Sequence, residues 1–199
     1  MAHLVLLSGL PGIGKTTIAT ALQSPYYERI HFGGLLRTLL ERRHREPLPH
    51  SQFRQRFSDL IDSYVLTEAS ILARERANNS LAQVCILDSH AVTPTSVGLR
   101  VTPDNNARMQ ALRLDAIVHL RLAGSLSRVL ANCGTDGRHA LTEVDATLAE
   151  HIQLSTVVLY ASYYDCPLLV VPAEGSIVDN VRDVDAAVRS AIGWQRHGT

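Results

Sequence analysis

Lysine is all but missing from this chain, whose 199 residues hold eighteen arginines and one lysine, Lys15. A genomic preference for arginine is one source of that bias, but a lone lysine points to one place where arginine will not serve. Net charge is missing too: 19 basic and 19 acidic residues cancel, so no polyanion is held by bulk charge. A nucleic-acid partner would need a local patch, and the nearest, Arg42, Arg43 and Arg45, reads as a solvated helix face. Only three cysteines occur, Cys85, Cys133 and Cys166. They are far apart and lack paired metal spacing, which excludes a disulfide framework and a zinc site and fits a reducing cytoplasm. The apolar run that follows Met1-Ala2 is interrupted by glycines within a few residues, too early for a signal peptide or membrane span. What is present is 46% hydrophobic and 19% charged residues, the composition of a soluble globular enzyme built as one domain over residues 1–199.

The pattern along the chain alternates short apolar runs with helical periodicity. His3 to Ser8 reads as a central parallel strand buried on both faces. A helix from Thr16 to Gln23 follows, then a short strand from Arg29 to Phe32 and a helix from Leu35 to about Arg45. Apolar positions from Gln52 to Asn78 recur at helical spacing and predict one long or bent helix. Val84 to Leu87 is a third strand, followed by an irregular stretch to Pro103 and a helix from Asn105 to Leu114. Ala116 to Leu122 is a fourth strand, and another helix begins at Ser125. Residues 132 to 140 are rich in turn formers and read as a mobile loop. A helix from about Asp145 to Tyr163, a fifth strand from Leu168 to Val171 and a helix from about Val178 to Ile192 complete the pattern. Five strands alternating with helices indicate a three-layer α/β fold with a parallel sheet.

The densest signal is Gly9-Leu10-Pro11-Gly12-Ile13-Gly14-Lys15-Thr16-Thr17. Gly-x-x-x-x-Gly-Lys-Thr between a strand and a helix lets successive backbone N–H groups face phosphate oxygens, with Lys15 reaching the β- and γ-phosphates and the Thr16 hydroxyl on magnesium. The bland reading is a glycine-rich turn with no ligand. A second acidic element belongs at the end of a neighbouring buried strand, and Asp88 stands there; it could instead cap a helix. His90, two residues on, could meet a γ-phosphate or orient a water, or be hydrogen-bonded locally.

Leu6 to Thr17, the strand end Ile86-Leu87-Asp88-Ser89-His90-Ala91-Val92 and Gly33-Gly34-Leu35-Leu36-Arg37 together resemble the archaeal type of adenylate kinase and, more widely, nucleoside monophosphate kinases. The Asp-x-His pattern is shared with related ribosome-assembly factors. The resemblance implies a phosphate-loop kinase fold with strand order 2-3-1-4-5 and helices on both faces. It also implies a small acceptor-binding helical region at about 33–80 and a short lid at about 130–142. It implies a nucleotide site at Gly9, Pro11, Gly12, Ile13, Gly14, Lys15, Thr16 and Thr17, magnesium on Thr16 and Asp88, and ATP as phosphoryl donor. Arg37, with Gly34, His90 and Arg100 around it, would hold the acceptor. Arg128 and Arg138 would neutralise charge on the transferring group from the lid. The chain departs from the family pattern in having no arginine or lysine between Arg138 and Arg182, where the family usually has an arginine on the helix after the lid and His151 and Gln153 are the nearest polar substitutes. Gly34 stands where an acidic residue is common, and residues 93–99 lack a basic residue for which Arg100 could compensate.

The expectation is therefore transfer of the γ-phosphoryl group of Mg-ATP to AMP or a similar small acceptor, with no nucleic-acid or membrane partner and with room for a homo-oligomer. Two other readings stay open. A kinase for a hydroxyl-bearing small molecule would need a carboxylate base, for which Asp88 or Asp59 could be recruited. An NTP-driven switch would hydrolyse ATP slowly against a protein or RNA partner.

Overall fold

The computed structural model describes residues 1–55, 60–95, 98–101, 106–133 and 140–195. The chain opens with β1 (His3–Ser8), α1 (Lys15–Ala21), β2 (Tyr27–His31) and α2 (Phe32–His44). It continues through α3 (His50–Gln55), α4 (Ser63–Asn79), β3 (Val84–Asp88), β4 (Val92–Thr95) and β5 (Gly98–Val101). Then follow α5 (Asn106–Leu112), β6 (Ala116–Arg121), a 3₁₀ turn (Ala123–Ser125) and α6 (Leu126–Asn132). The last elements are α7 (Glu143–Tyr164), β7 (Leu168–Pro172) and α8 (Ile177–Gln195).

Five strands pair in parallel in the order β2-β3-β1-β6-β7. The order expected from the sequence, 2-3-1-4-5, thus becomes 2-3-1-6-7. The difference is a separate antiparallel pair, β4 with β5, inserted where the sequence reads as irregular because Pro94 and nearby turn formers mask the alternation. Pro94 lies opposite Leu99 in that two-stranded ribbon, a place where a residue without an N–H is tolerated.

Central position explains why β1 reads as a continuous apolar run. Leu4 and Leu6 enter a core shared with α2, α4 and α5, through residues such as Leu36, Leu40, Val65, Ala69 and Met109. Val5 and Leu7 enter a second core, shared with Ile18 of α1 and Val184 and Val188 of α8. Successive side chains of one strand thus feed both layers. The expected long helix from Gln52 to Asn78 is instead divided into α3 and α4. Ile61 and Asp62 are non-helical, and Asp62 takes extended backbone and accepts a hydrogen bond from the Val65 N–H at 2.8 Å. An N-cap aspartate starts a new helix even where the apolar spacing runs on. Among the described residues no helix is long and apolar enough to cross a membrane.

Candidate functional site

The C-terminal ends of β1 and β3, with the start of α1, build the site. Past Ser8 the backbone turns sharply: Gly9 has φ 145° and Gly12 has φ 85°, values that side chains rarely permit. Space is as restrictive as conformation. A Cβ on Gly9 would lie 2.9 Å from the Leu120 carbonyl oxygen, and one on Gly12 would lie 3.0 Å from the Asn132 Cβ. The loop closes around Lys15, which is 6% exposed. Its ammonium donates to the carbonyl oxygens of Gly9 at 2.7 Å and Leu10 at 2.8 Å. The positive charge is thereby held where the loop curls, and an arriving phosphate would compete with two carbonyls for the same protons. Within the loop, Ile13 is buried, Pro11 and Gly14 are half-buried, and Thr16 and Thr17 face solvent.

One residue past Lys15, the Thr16 hydroxyl donates to Asp88 Oδ2 at 2.8 Å. Asp88 ends β3, whose pairing with β1 and β2 sets it opposite Leu7 and His31. Arg29 Nη2 donates to the same carboxylate oxygen at 2.9 Å. The other arm of that guanidinium, Nη1, reaches Thr20 Oγ1 on α1 at 3.1 Å. Arg29 is the site residue that the sequence does not reveal, because it sits inside a short strand 59 positions from its partner. The available signal is the alternation of Tyr27, Arg29 and His31, which places polar side chains on one face of a strand beside β3. A hydroxyl and a carboxylate side by side suit a hard divalent cation such as Mg2+. No group of three or more His, Cys, Asp or Glu side chains among the described residues could hold a metal ion, so a cation at Thr16 and Asp88 would take its remaining ligands from phosphate and water.

Buried polar contacts support the loop from below and behind. Gln153 of α7, fully buried, donates to Ser8 Oγ at 2.6 Å and accepts from the Val92 N–H at 2.8 Å. It thus joins the last residue of β1 to the segment that follows Asp88. Glu150, one turn earlier, accepts from the Leu122 N–H at 3.0 Å and lies 3.2 Å from His119 Nε2, and His119 stands opposite Ser8 in the sheet. Asn132 Nδ2 donates to the Gly12 carbonyl at 3.0 Å, so the end of α6 rests on the loop. Residues 132 and 133 are expected within a mobile loop; they close α6 and its cap instead.

The acceptor and lid residues read from the sequence have other neighbours. Gly34 lies in the first turns of α2, where a Cβ would sit 3.1 Å from His31 Nδ1. Arg37, on the same helix, approaches Glu41 at 3.7 Å with a side chain 37% exposed. Arg100 Nη2 donates to the Ile61 carbonyl at 2.7 Å and ties the β4–β5 ribbon to the start of α4. His90 is half-buried beyond β3. Arg128 Nη2 donates to the Ala173 carbonyl at 2.9 Å, joining α6 to the end of β7. His151 is exposed. Arg138 and Asp59 lie outside the described residues. The structure therefore brings together Lys15, Thr16 and Asp88, adds Arg29, and sets Arg37, Arg100 and Arg128 on separate contacts.

No protein-family model and no curated protein matches the chain. Among solved structures, a gluconokinase from Sinorhizobium meliloti 1021 is similar over 99% of this chain and 98% of its own, at 15% sequence identity and a TM-score of 0.48. That likeness is too slight to say anything of activity, for which the geometry of the site is the guide.

Proposed function

We propose that this chain is an ATP-dependent phosphotransferase, similar to adenylate kinases, that moves the γ-phosphoryl group of Mg-ATP to AMP or a similar nucleoside monophosphate. The observation that carries the reading is the set of Lys15, Thr16 and Asp88. A buried ammonium is wrapped by a glycine loop, and the next residue's hydroxyl is bonded to a strand-end carboxylate. Phosphoryl transfer asks mainly for positioning and charge neutralisation. Lys15 exchanges its two carbonyl partners for β- and γ-phosphate oxygens. Magnesium, held through Thr16 and Asp88, neutralises phosphate charge when bound. Arg37 is the fork for the acceptor phosphate, since among the described residues its guanidinium is engaged only by Glu41 of its own helix, at 3.7 Å. Arg138 and Arg128 serve the transferring group from the lid side.

The choice of a phosphate acceptor over a hydroxyl acceptor rests on Asp88, the candidate base among the described residues. A hydroxyl acceptor needs a carboxylate to take its proton, and Oδ2 of this carboxylate is already bonded to Thr16 and Arg29. A phosphate acceptor is already ionised and needs no base.

The test is to incubate the protein with Mg-ATP and, in parallel, a panel of nucleoside monophosphates, a panel of nucleosides, and no acceptor, and to follow ADP. A nucleoside monophosphate should stimulate ADP formation well above the other arms. Equal ADP in every arm would sink the kinase reading and leave a hydrolytic switch; stimulation by nucleosides alone would move the acceptor to a hydroxyl. Lys15→Ala should lower turnover by on the order of a hundredfold or more, as loss of a charge-stabilising donor does, and retained activity would refute the donor site.

A further inference from the structure

Asp88 has a side chain only 4% exposed. A carboxylate so buried needs a counter-charge. The ammonium of Lys15 is turned to the carbonyls of Gly9 and Leu10, and the cation in contact with Asp88, at 2.9 Å, is Arg29. Its guanidinium is steadied on the far side by Thr20, on the helix that carries Thr16. Its Nε is buried with no hydrogen-bond partner among the described residues, so the two terminal nitrogens, on Asp88 and Thr20, hold the group in place. A cation coming alone to Thr16 and Asp88 meets a carboxylate already neutralised by a guanidinium, with no net negative charge left for it. A cation coming on a polyphosphate brings the negative charge that the pair lacks.

We propose that Arg29 is a positioning residue of the donor site and its built-in counter-ion: it holds the Asp88 carboxylate and keeps divalent metal out until a nucleotide carries the metal in. The inference rests on the donor-site reading and adds a role for a residue outside the loop motif. It predicts nucleotide-dependent metal uptake as a property of this pair of side chains, separate from turnover.

Mn2+ followed by electron paramagnetic resonance on the full chain, without nucleotide, tests it directly. The wild-type protein should bind Mn2+ with a Kd above about 1 mM, and Arg29→Gln, which leaves the buried carboxylate without its counter-charge, should bind at least about tenfold more tightly. Arg29→Lys restores the charge and should return the wild-type value. Adding Asp88→Asn to Arg29→Gln should abolish the gain. Wild-type uptake of Mn2+ without nucleotide at a Kd below about 0.1 mM, or equal affinities for wild type and Arg29→Gln, overturns the inference. If Arg29→Gln does not fold, Thr20→Val, which removes the hydrogen bond that steadies the guanidinium on its far side, takes its place: tighter Mn2+ binding without nucleotide supports the inference, and unchanged affinity overturns it. Calorimetric titration of the wild type with Mg-ADP separates the two readings. No ADP binding means that the donor site itself is wrong. Normal ADP binding with Mn2+ uptake indifferent to residue 29 means that only the Arg29 assignment falls.

Discussion

At Gly9 and Gly14 the backbone makes the same demand and the surroundings do not. Both have φ in the left-handed range, 145° and 112°. A Cβ on Gly9 would meet the Leu120 carbonyl at 2.9 Å, while one on Gly14 meets nothing within 4 Å. Gly14→Ala should therefore cost only conformational strain, about 1–3 kcal/mol. Gly9→Ala should cost clearly more, because β6 must move, and should also lose Mg-ADP binding. Thermal melts and calorimetry on the two variants check the order, and a Gly14 variant less stable than the Gly9 variant would contradict it. At this scale, what was legible in the sequence came from contiguity. Lys15 and Thr16 stand in one motif, and Asp88 stands where an apolar strand ends, so each is visible without coordinates. Arg29 was not legible, since its partner is chosen by strand pairing, and nothing local to Tyr27–His31 says that β3 will lie alongside.

Elements are joined here by ion pairs that titrate. Glu28 on β2 accepts from Ser80 Oγ at 2.6 Å and from Arg76 Nε at 2.7 Å, at the end of α4. The Ser80 hydrogen bond, helped by Arg76 and opposed by burial, holds the Glu28 carboxyl below the usual glutamate range. A carboxyl with a depressed folded value adds stability above its unfolded value and loses it as pH falls through the folded one. Glu28→Gln should thus be less stable than wild type near neutrality, with a gap that closes on acidification. Urea midpoints at about pH 7 and about pH 3 measure this, and a gap of the same size at both would remove the charge from the explanation. The neighbouring contact works differently: burial, reinforced by a 2.6 Å hydrogen bond to Asp185, pushes the Tyr27 hydroxyl up and keeps it a donor to α8. Element type was largely legible from periodicity, because β1 is apolar from Leu4 to Leu7 and the helices carry regular apolar faces. Boundaries were less so. The break before α4 depends on one capping side chain, Asp62, and the β4–β5 ribbon hides behind Pro94, where local chemistry overrides period.

Over the whole molecule, the two cores lie on opposite faces of one sheet, and the buried Gln153 amide joins the end of the central strand to the segment after β3. Gln153 links α7 to Ser8 at the end of β1 and to Val92 at the start of β4. Gln153→Leu keeps the volume but leaves a buried hydroxyl and a buried N–H without that partner, at about 1–3 kcal/mol each. Thermal midpoints should fall by about 2–4 °C per kcal/mol in a chain of this size, and an unchanged midpoint would show that the amide is dispensable. In the sequence Gln153 stands out only as a polar neighbour of the lid; that it reaches the end of β1 depends on α7 packing against β6 and β4, a matter of tertiary arrangement. Lys15 has a consequence of another kind. It is the only lysine in the chain, and its ammonium lies against two backbone oxygens in a buried loop. Apart from the exposed N-terminal amine, an amine-directed acylating reagent therefore has one group to find, at the floor of the glycine loop. The rate at which Lys15 takes up an acyl group, read on the peptide that carries it so that the N-terminal amine is not counted, would report how often the ammonium leaves its carbonyls.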